Sequence, residues 1–163
     1  DSSTSRGLGD VYKRQTIILA TLSLSIFSAE DTKLDPIIFM LDLSISDGNT
    51  KEAEEFTYKI TKKVKANEPG TVIYQYFFGS NDKVFLYEVY KSNEAAIKHV
   101  EDFRGSTWEE EFGGLFSIDN FAVLGNSSND LKESLEGYTT DFRTLKGGFH
   151  KPAQALGNEI FNL

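Results

Sequence analysis

Residues 71–91, TVIYQYFFGSNDKVFLYEVYK, decide the fold. Two β-rich runs, Thr71 to Gly79 and Lys83 to Lys91, flank Ser80-Asn81-Asp82, a triplet of turn residues. That combination predicts a β-hairpin. Alternation places Val72, Tyr74, Tyr76 and Phe78 on one face of the first strand, with Ile73 and Phe77 on the other. The second strand sets Val84, Leu86, Glu88 and Tyr90 against Phe85, Tyr87 and Val89. Both faces are therefore apolar or aromatic, and neither can be left in water. One side must pack on helices; the other needs a second sheet, a partner subunit or a ligand.

The flanking sequence supplies the helices. Upstream, Pro36 to Ile45 begins apolar and then alternates, Met40, Asp42 and Ser44 against Leu41, Leu43 and Ile45, as a half-buried strand does. Asp47-Gly48-Asn49 reads as a turn, with Asn49 as N-cap and Glu52 completing a capping-box pattern. The helix that follows runs to about Ala66 with Ala53, Phe56, Ile60 and Val64 on one stripe, and Asn67 and Pro69-Gly70 stop it. Downstream, Ser92 caps a second helix with Ala96, Val100 and Phe103 on its stripe and His99 beside it. A short acidic helical piece (Trp108 to Phe112), Gly113-Gly114, a fourth strand (Ser117 to Leu124), a last helix capped by Asn129 and an extended piece ending at Phe149 follow. The order β-α-β-β-α-β predicts an α+β, ferredoxin-like split domain over residues 34–151: four antiparallel strands, with both helices on one face. Two aromatic helix-free faces meeting would close a dimeric α+β barrel, so a homodimer is the expected assembly. Residues 152–163 read as a loose tail.

Composition narrows the functions. The net charge of −8, from 17 basic and 25 acidic residues, has the wrong sign for binding a phosphate backbone, so nucleic acid is not an expected partner. The chain has no cysteine, which removes disulfides, thiolate metal sites and a cysteine nucleophile. Its two histidines, His99 and His150, lie far apart, and no metal site is expected. No phosphate-binding, dinucleotide or serine-hydrolase motif occurs.

The N-terminal region stands apart from the domain. Residues 16–29, TIILATLSLSIFSA, carry no charge and follow Lys13 and Arg14, the layout of a secretory signal peptide; a buried core segment is the competing reading. The run is too short for a stable membrane span. Residues 1–15 lack an initiator Met, and DVYKRQ (10–15) resembles a translated sequencing-library adaptor, so an artefact is expected there. The expected location is secreted, endomembrane or periplasmic if the signal is genuine, and cytoplasmic otherwise. Asn126-Ser127-Ser128 is a sequon in a polar loop, a glycan site if the chain is exported by a eukaryote.

Three segments together resemble the antibiotic-biosynthesis-monooxygenase domain family. They are EPGTVIY from Glu68, VFLYEVY from Val84, and SNEAAIKHV from Ser92, in which Ala96 precedes His99 by three residues. The match is best over residues 67–103. The resemblance implies a homodimeric α+β barrel with a cleft beside the open sheet face. It also implies, among several activities known in the family, a cofactor-independent monooxygenase acting with O2 on a quinol-like or phenolic molecule. The haem-degrading branch pairs a first-strand Asn with Trp and His, whereas this strand offers Met40, Asp42 and Ser44. With no cofactor, the protein must bind an aromatic anion, help deprotonate it and exclude water. His99 and Glu88 are the candidate catalytic residues, each with an alternative structural role as a hydrogen-bonded buried group. Tyr74, Tyr76, Trp108 and Phe112 are the candidate substrate-binding residues, Trp108 alternatively an interface anchor. Glu109-Glu110-Glu111 reads as a solvated helix face. The second functional reading is a secreted dimeric protein that holds a hydrophobic or aromatic ligand without turning it over.

Overall fold

Strand β1 (Ile37–Ile45) occupies the middle of the sheet because every second residue of it is apolar: Ile37, Phe39, Leu41, Leu43 and Ile45 are all buried. The computed structural model describes residues 35–149, so the readings made for residues 1–15, 16–29 and 152–163 lie outside the described residues. After β1 come α1 (Thr50–Asn67), β2 (Thr71–Phe78), β3 (Lys83–Tyr90), α2 (Asn93–Phe103), α3 (Thr107–Leu115), β4 (Phe116–Leu124), α4 (Asn129–Ser134) and β5 (Asp141–Arg143). The sheet order is β2-β3-β1-β4-β5. The β2–β3, β3–β1 and β1–β4 pairs are antiparallel, the split arrangement expected from the sequence.

The fifth strand corrects the expectation of a four-stranded antiparallel sheet. Asp141–Arg143 pairs with Ala122–Leu124 in parallel, with α4 in the connection, so the sheet is five-stranded and mixed. It covers peptide groups that β4 would otherwise present at an edge. Two caps also differ from expectation. Asn49 has φ −100° and ψ 17°, not the extended backbone of an N-cap, and its side chain makes no cap bond. Ser128 rather than Asn129 caps α4, accepting from the Leu131 N–H. Ser92 caps α2 as expected, accepting from the Ala95 N–H.

The hairpin turn Ser80–Lys83 has Asn81 and Asp82 at φ 58° and 56°, the type I′ conformation whose twist matches paired strands. Two bulges adjust the faces. Between Thr71 and Ile73 the register shifts, so Val72 stands out at 65% exposure while Tyr74 and Tyr76 turn toward the helices. In β4 a second shift places Asp119 outside the regular pairing, where it accepts from Lys83 Nζ at 2.8 Å.

Helices α1 and α2 cover the face made by Phe39, Leu41, Leu86, Glu88 and Tyr90. The stripe Ala53, Phe56, Ile60 and Val64 is buried as the 3.6-residue period requires. The opposite face keeps its apolar side chains uncovered: Phe77 is 53% exposed, and Phe85 and Tyr87 stack beside it. No helix among the described residues is long and apolar enough to cross a membrane.

Candidate active site

The site begins at the α1–β2 junction, where Glu68 ends the helix. Its N–H donates to the Val64 carbonyl, and its own carbonyl accepts from Thr71 across a turn with Pro69 and Gly70 in the middle. Gly70 has to be glycine because α2 passes so close: a Cβ there would stand 2.5 Å from the Ala95 Cβ. One turn beyond Ala95 on the same helix face lies His99. The close approach at Gly70 therefore delivers the imidazole to the Glu68 carboxylate, with His99 Nδ1 at 2.8 Å from Glu68 Oε2. Thr71 Oγ1 donates to the same oxygen at 2.9 Å.

On the other side of the ring, His99 Nε2 lies 3.9 Å from Glu88 Oε1. That is too long for a hydrogen bond, and it leaves a slot in which an oxygen atom can accept from Nε2–H and donate to Glu88. The second Glu88 oxygen is held by the Tyr90 hydroxyl, which donates at 2.6 Å. All of this is buried: Glu88 is 3% exposed, Glu68 6% and His99 8%.

Burial and charge set the protonation states. Burial pushes the Glu68 carboxyl up, but its hydrogen bond to His99, the histidine charge and the Thr71 hydroxyl together hold it below its usual range. Burial likewise pushes His99 down, and the carboxylates of Glu88 and Glu68 overcome this and raise it. Glu88 is raised by burial, with His99 and the Tyr90 hydroxyl only partly offsetting. The result is an imidazolium–carboxylate pair next to a second carboxyl poised closer to neutrality, the kind of splitting that acid–base sites use. Because the two ring nitrogens point toward carboxylates on opposite sides, the three groups do not converge on one point, and no metal-ligating cluster occurs among the described residues.

Glu88 and His99 lie at one end of a cavity of about 220 Å³ between the sheet and helices α2 and α3. Its walls are almost entirely apolar, from Phe39, Leu41 and Leu86 on the sheet to Val100, Phe103 and Phe112 on the helices. The exposed Gly113 and Ile118 mark the side open to solvent. This location corrects the expectation of a cleft beside the open sheet face. Residues at odd positions of β1 and even positions of β3 face the helices, so the polar groups lie there too.

The sequence candidates divide accordingly. Glu88, His99, Tyr74 and Phe112 line the cavity. Tyr76 stands one step behind, its hydroxyl 3.2 Å from that of Tyr74, and the Tyr74 ring lies 5.5 Å from the His99 ring. Burial drives the Tyr74 phenol well above its usual range, with Tyr76 and Glu88 adding to it, so it stays a neutral donor. Trp108 is not on the cavity: it packs at 5.9 Å on Phe56 of α1, under Lys63. Glu109, read as part of a solvated run, keeps contact with solvent and also reaches the cavity. It lines the cavity, accepts from the Gly105 N–H at 2.6 Å and takes the Tyr138 hydroxyl bond. Glu68 and Tyr138 were not among the sequence candidates. The only sequence signal for Glu68 was its place in the E-x-G opening of β2.

No family model matches the sequence, and no curated protein matches it. Solved structures do. MupZ from Pseudomonas fluorescens is 20% identical with a TM-score of 0.65, over 72% of this chain and 95% of that one. A "putative antibiotic biosynthesis monooxygenase" from Caulobacter crescentus is 21% identical with a TM-score of 0.48, over 58% of this chain and 92% of that one. SnoaB, a cofactor-independent oxygenase from Streptomyces nogalater, is 13% identical with a TM-score of 0.48, over 58% of this chain and 96% of that one. At such identities the likeness is one of fold, and this chain shares the fold of MupZ.

Proposed function

We propose that the chain is a cofactor-independent monooxygenase for a phenolic or quinol-like small molecule. The observation that carries the reading is the 3.9 Å slot between His99 Nε2 and Glu88 Oε1 at the end of an apolar cavity. A substrate hydroxyl seated there gives its proton to Glu88, and the imidazolium hydrogen-bonds the oxyanion that remains. Glu68 keeps that imidazolium charged and fixes the ring. The apolar walls exclude water from the electron-rich anion, which reacts with O2. The substrate supplies all four electrons: two accompany the oxygen atom that it retains, and two, with two protons, reduce the other atom to water.

The uncovered face around Phe77, Phe85 and Tyr87 supports a second proposal, that two copies of the chain associate through it. Oxygen uptake with a panel of quinols and naphthols tests the main reading. Wild type should consume O2 with one label atom from ¹⁸O2 in the product, and Glu88→Gln should lose about a hundredfold or more in rate. Product formed equally well without oxygen would refute it.

A further inference from the structure

We infer that the cavity selects a two-ended ligand: an acidic hydroxyl at the Glu88–His99 end and a second hydrogen-bond donor, hydroxyl or ammonium, at a separate Glu109–Tyr138 end. The inference rests on the same cavity being the reactant site, and it concerns what that cavity binds. Besides the Tyr74 phenol, two polar pairs interrupt its apolar lining, and they differ in kind. The Glu88–His99 pair offers both an acceptor and a donor. The other pair offers acceptors alone. Each carboxylate oxygen of Glu109 already takes one bond, from Gly105 N–H and from the Tyr138 hydroxyl, and each retains a free lone pair. The Tyr138 proton is committed to Glu109, which leaves the phenol oxygen as a further acceptor.

Three features make this second pair a built site. Ser106 caps α3 and, with the Gly105 N–H, fixes Glu109 in its first turn. The Arg104 guanidinium lies 4.5 Å over the Tyr138 ring, while its Nη2 donates to the Ser134 and Glu136 carbonyls. Arg104 thus holds the segment that carries Tyr138, and it is not among the residues lining the cavity. A ligand carboxylate or phosphate entering here would meet Glu109, and the lining's cationic group, His99, belongs to the other pair. A hydroxyl or an ammonium would find acceptors already fixed in place.

Calorimetric binding without oxygen tests this apart from turnover. The probes are a naphthalenediol with hydroxyls at opposite ends, the mono-naphthol, the matching (aminomethyl)naphthol and the matching hydroxynaphthoate. The diol should bind about tenfold or more tightly than the mono-naphthol, as a hydrogen bond to a charged group implies, and the hydroxynaphthoate should bind weakest. Glu109→Gln should shrink the gap between diol and hydroxynaphthoate, and Tyr138→Phe should shrink it in part if the first variant fails to fold. An (aminomethyl)naphthol tighter than the diol in wild type would assign the second donor to an ammonium. Equal affinity of wild type for diol and mono-naphthol, or a hydroxynaphthoate that binds best, overturns the inference. Selective binding of the diol with no oxygen uptake would leave it standing and remove the oxygenase reading instead.

Discussion

Replacing Glu68 by Gln removes one charge and one hydrogen-bond acceptor oxygen while keeping the shape of the side chain. In the native protein the carboxylate holds a buried imidazolium at 2.8 Å. At an effective dielectric near 20 the Coulomb attraction of such a pair is about 4 kcal/mol, and breaking a buried pair costs about 3–5 kcal/mol because the surviving charge is stranded. Gln retains an oxygen for the Nδ1–H, so the loss should fall near the low end, about 2–3 kcal/mol. That loss must depend on pH. Glu68 is lowered in the fold, so its contribution is present above the ordinary carboxyl pKa and lost as pH falls through the folded value. His99 is raised, so its contribution is complete below the ordinary histidine pKa and lost as pH rises through the folded value. The two overlap fully between about pH 4.5 and pH 6.5. Glu88 also loses stability as pH rises above the ordinary carboxyl range, because its folded pKa is raised, but it does so in both proteins and drops out of the difference to first order. Urea unfolding of wild type and Glu68→Gln at about pH 5.5 and about pH 9 reads the effect directly. The gap between the proteins should be about 2–3 kcal/mol at the lower pH and should narrow toward about 1 kcal/mol, that of a neutral hydrogen bond, as the pH rises and His99 gives up its proton. An equal gap at both would show that the contact is a neutral hydrogen bond and that the imidazolium assignment is wrong.

Gly70→Ala should lower stability by about 1–3 kcal/mol, since the new methyl meets Ala95 at 2.5 Å and α2 must move; a urea midpoint equal to wild type would contradict the close approach. Trp108→Ala should cost about 2 kcal/mol of packing on Phe56, yet leave the affinity for a naphthol probe within about twofold, because the indole is not on the cavity wall. Phe77→Asp puts a charge on the uncovered sheet face and should turn a dimer into a monomer by light scattering; a wild-type protein that is already monomeric would refute the association.

The hairpin, both long helices and the strand order were legible because each rests on periodicity over eight or more residues. What escaped was set by single residues. The bulge at Val72 adds one residue to β2, and alternation counted from Val72 cannot register it, so Val72 was grouped with Tyr74 and Tyr76 although it faces the other way. Strand β5 is three residues long, below the length at which alternation carries information. Glu68 sits between Asn67 and Pro69-Gly70, whose stop signals accounted for the segment by themselves, and its partner His99 is 31 residues away. Glu109 was hidden by its neighbours: a run of three glutamates reads as solvated, but on a helix only one of the three turns toward Tyr138.

Glu68 and Glu109 are both carboxylates whose role depends on a partner distant in sequence. A buried carboxylate looks, in sequence, like a surface one, because what makes it tolerable is a partner brought in by the fold. Here the partner comes from α2 through the contact of Gly70 with Ala95, so packing and electrostatics depend on one backbone approach. If α2 moved outward, His99 would leave Glu68, and Glu88 would lose its nearest positive charge. Burial would then raise Glu88 further and favour its protonated form, which cannot accept a proton from a substrate. The residues that hold the base in its working state are thus Gly70 and Ala95, which have no chemistry of their own.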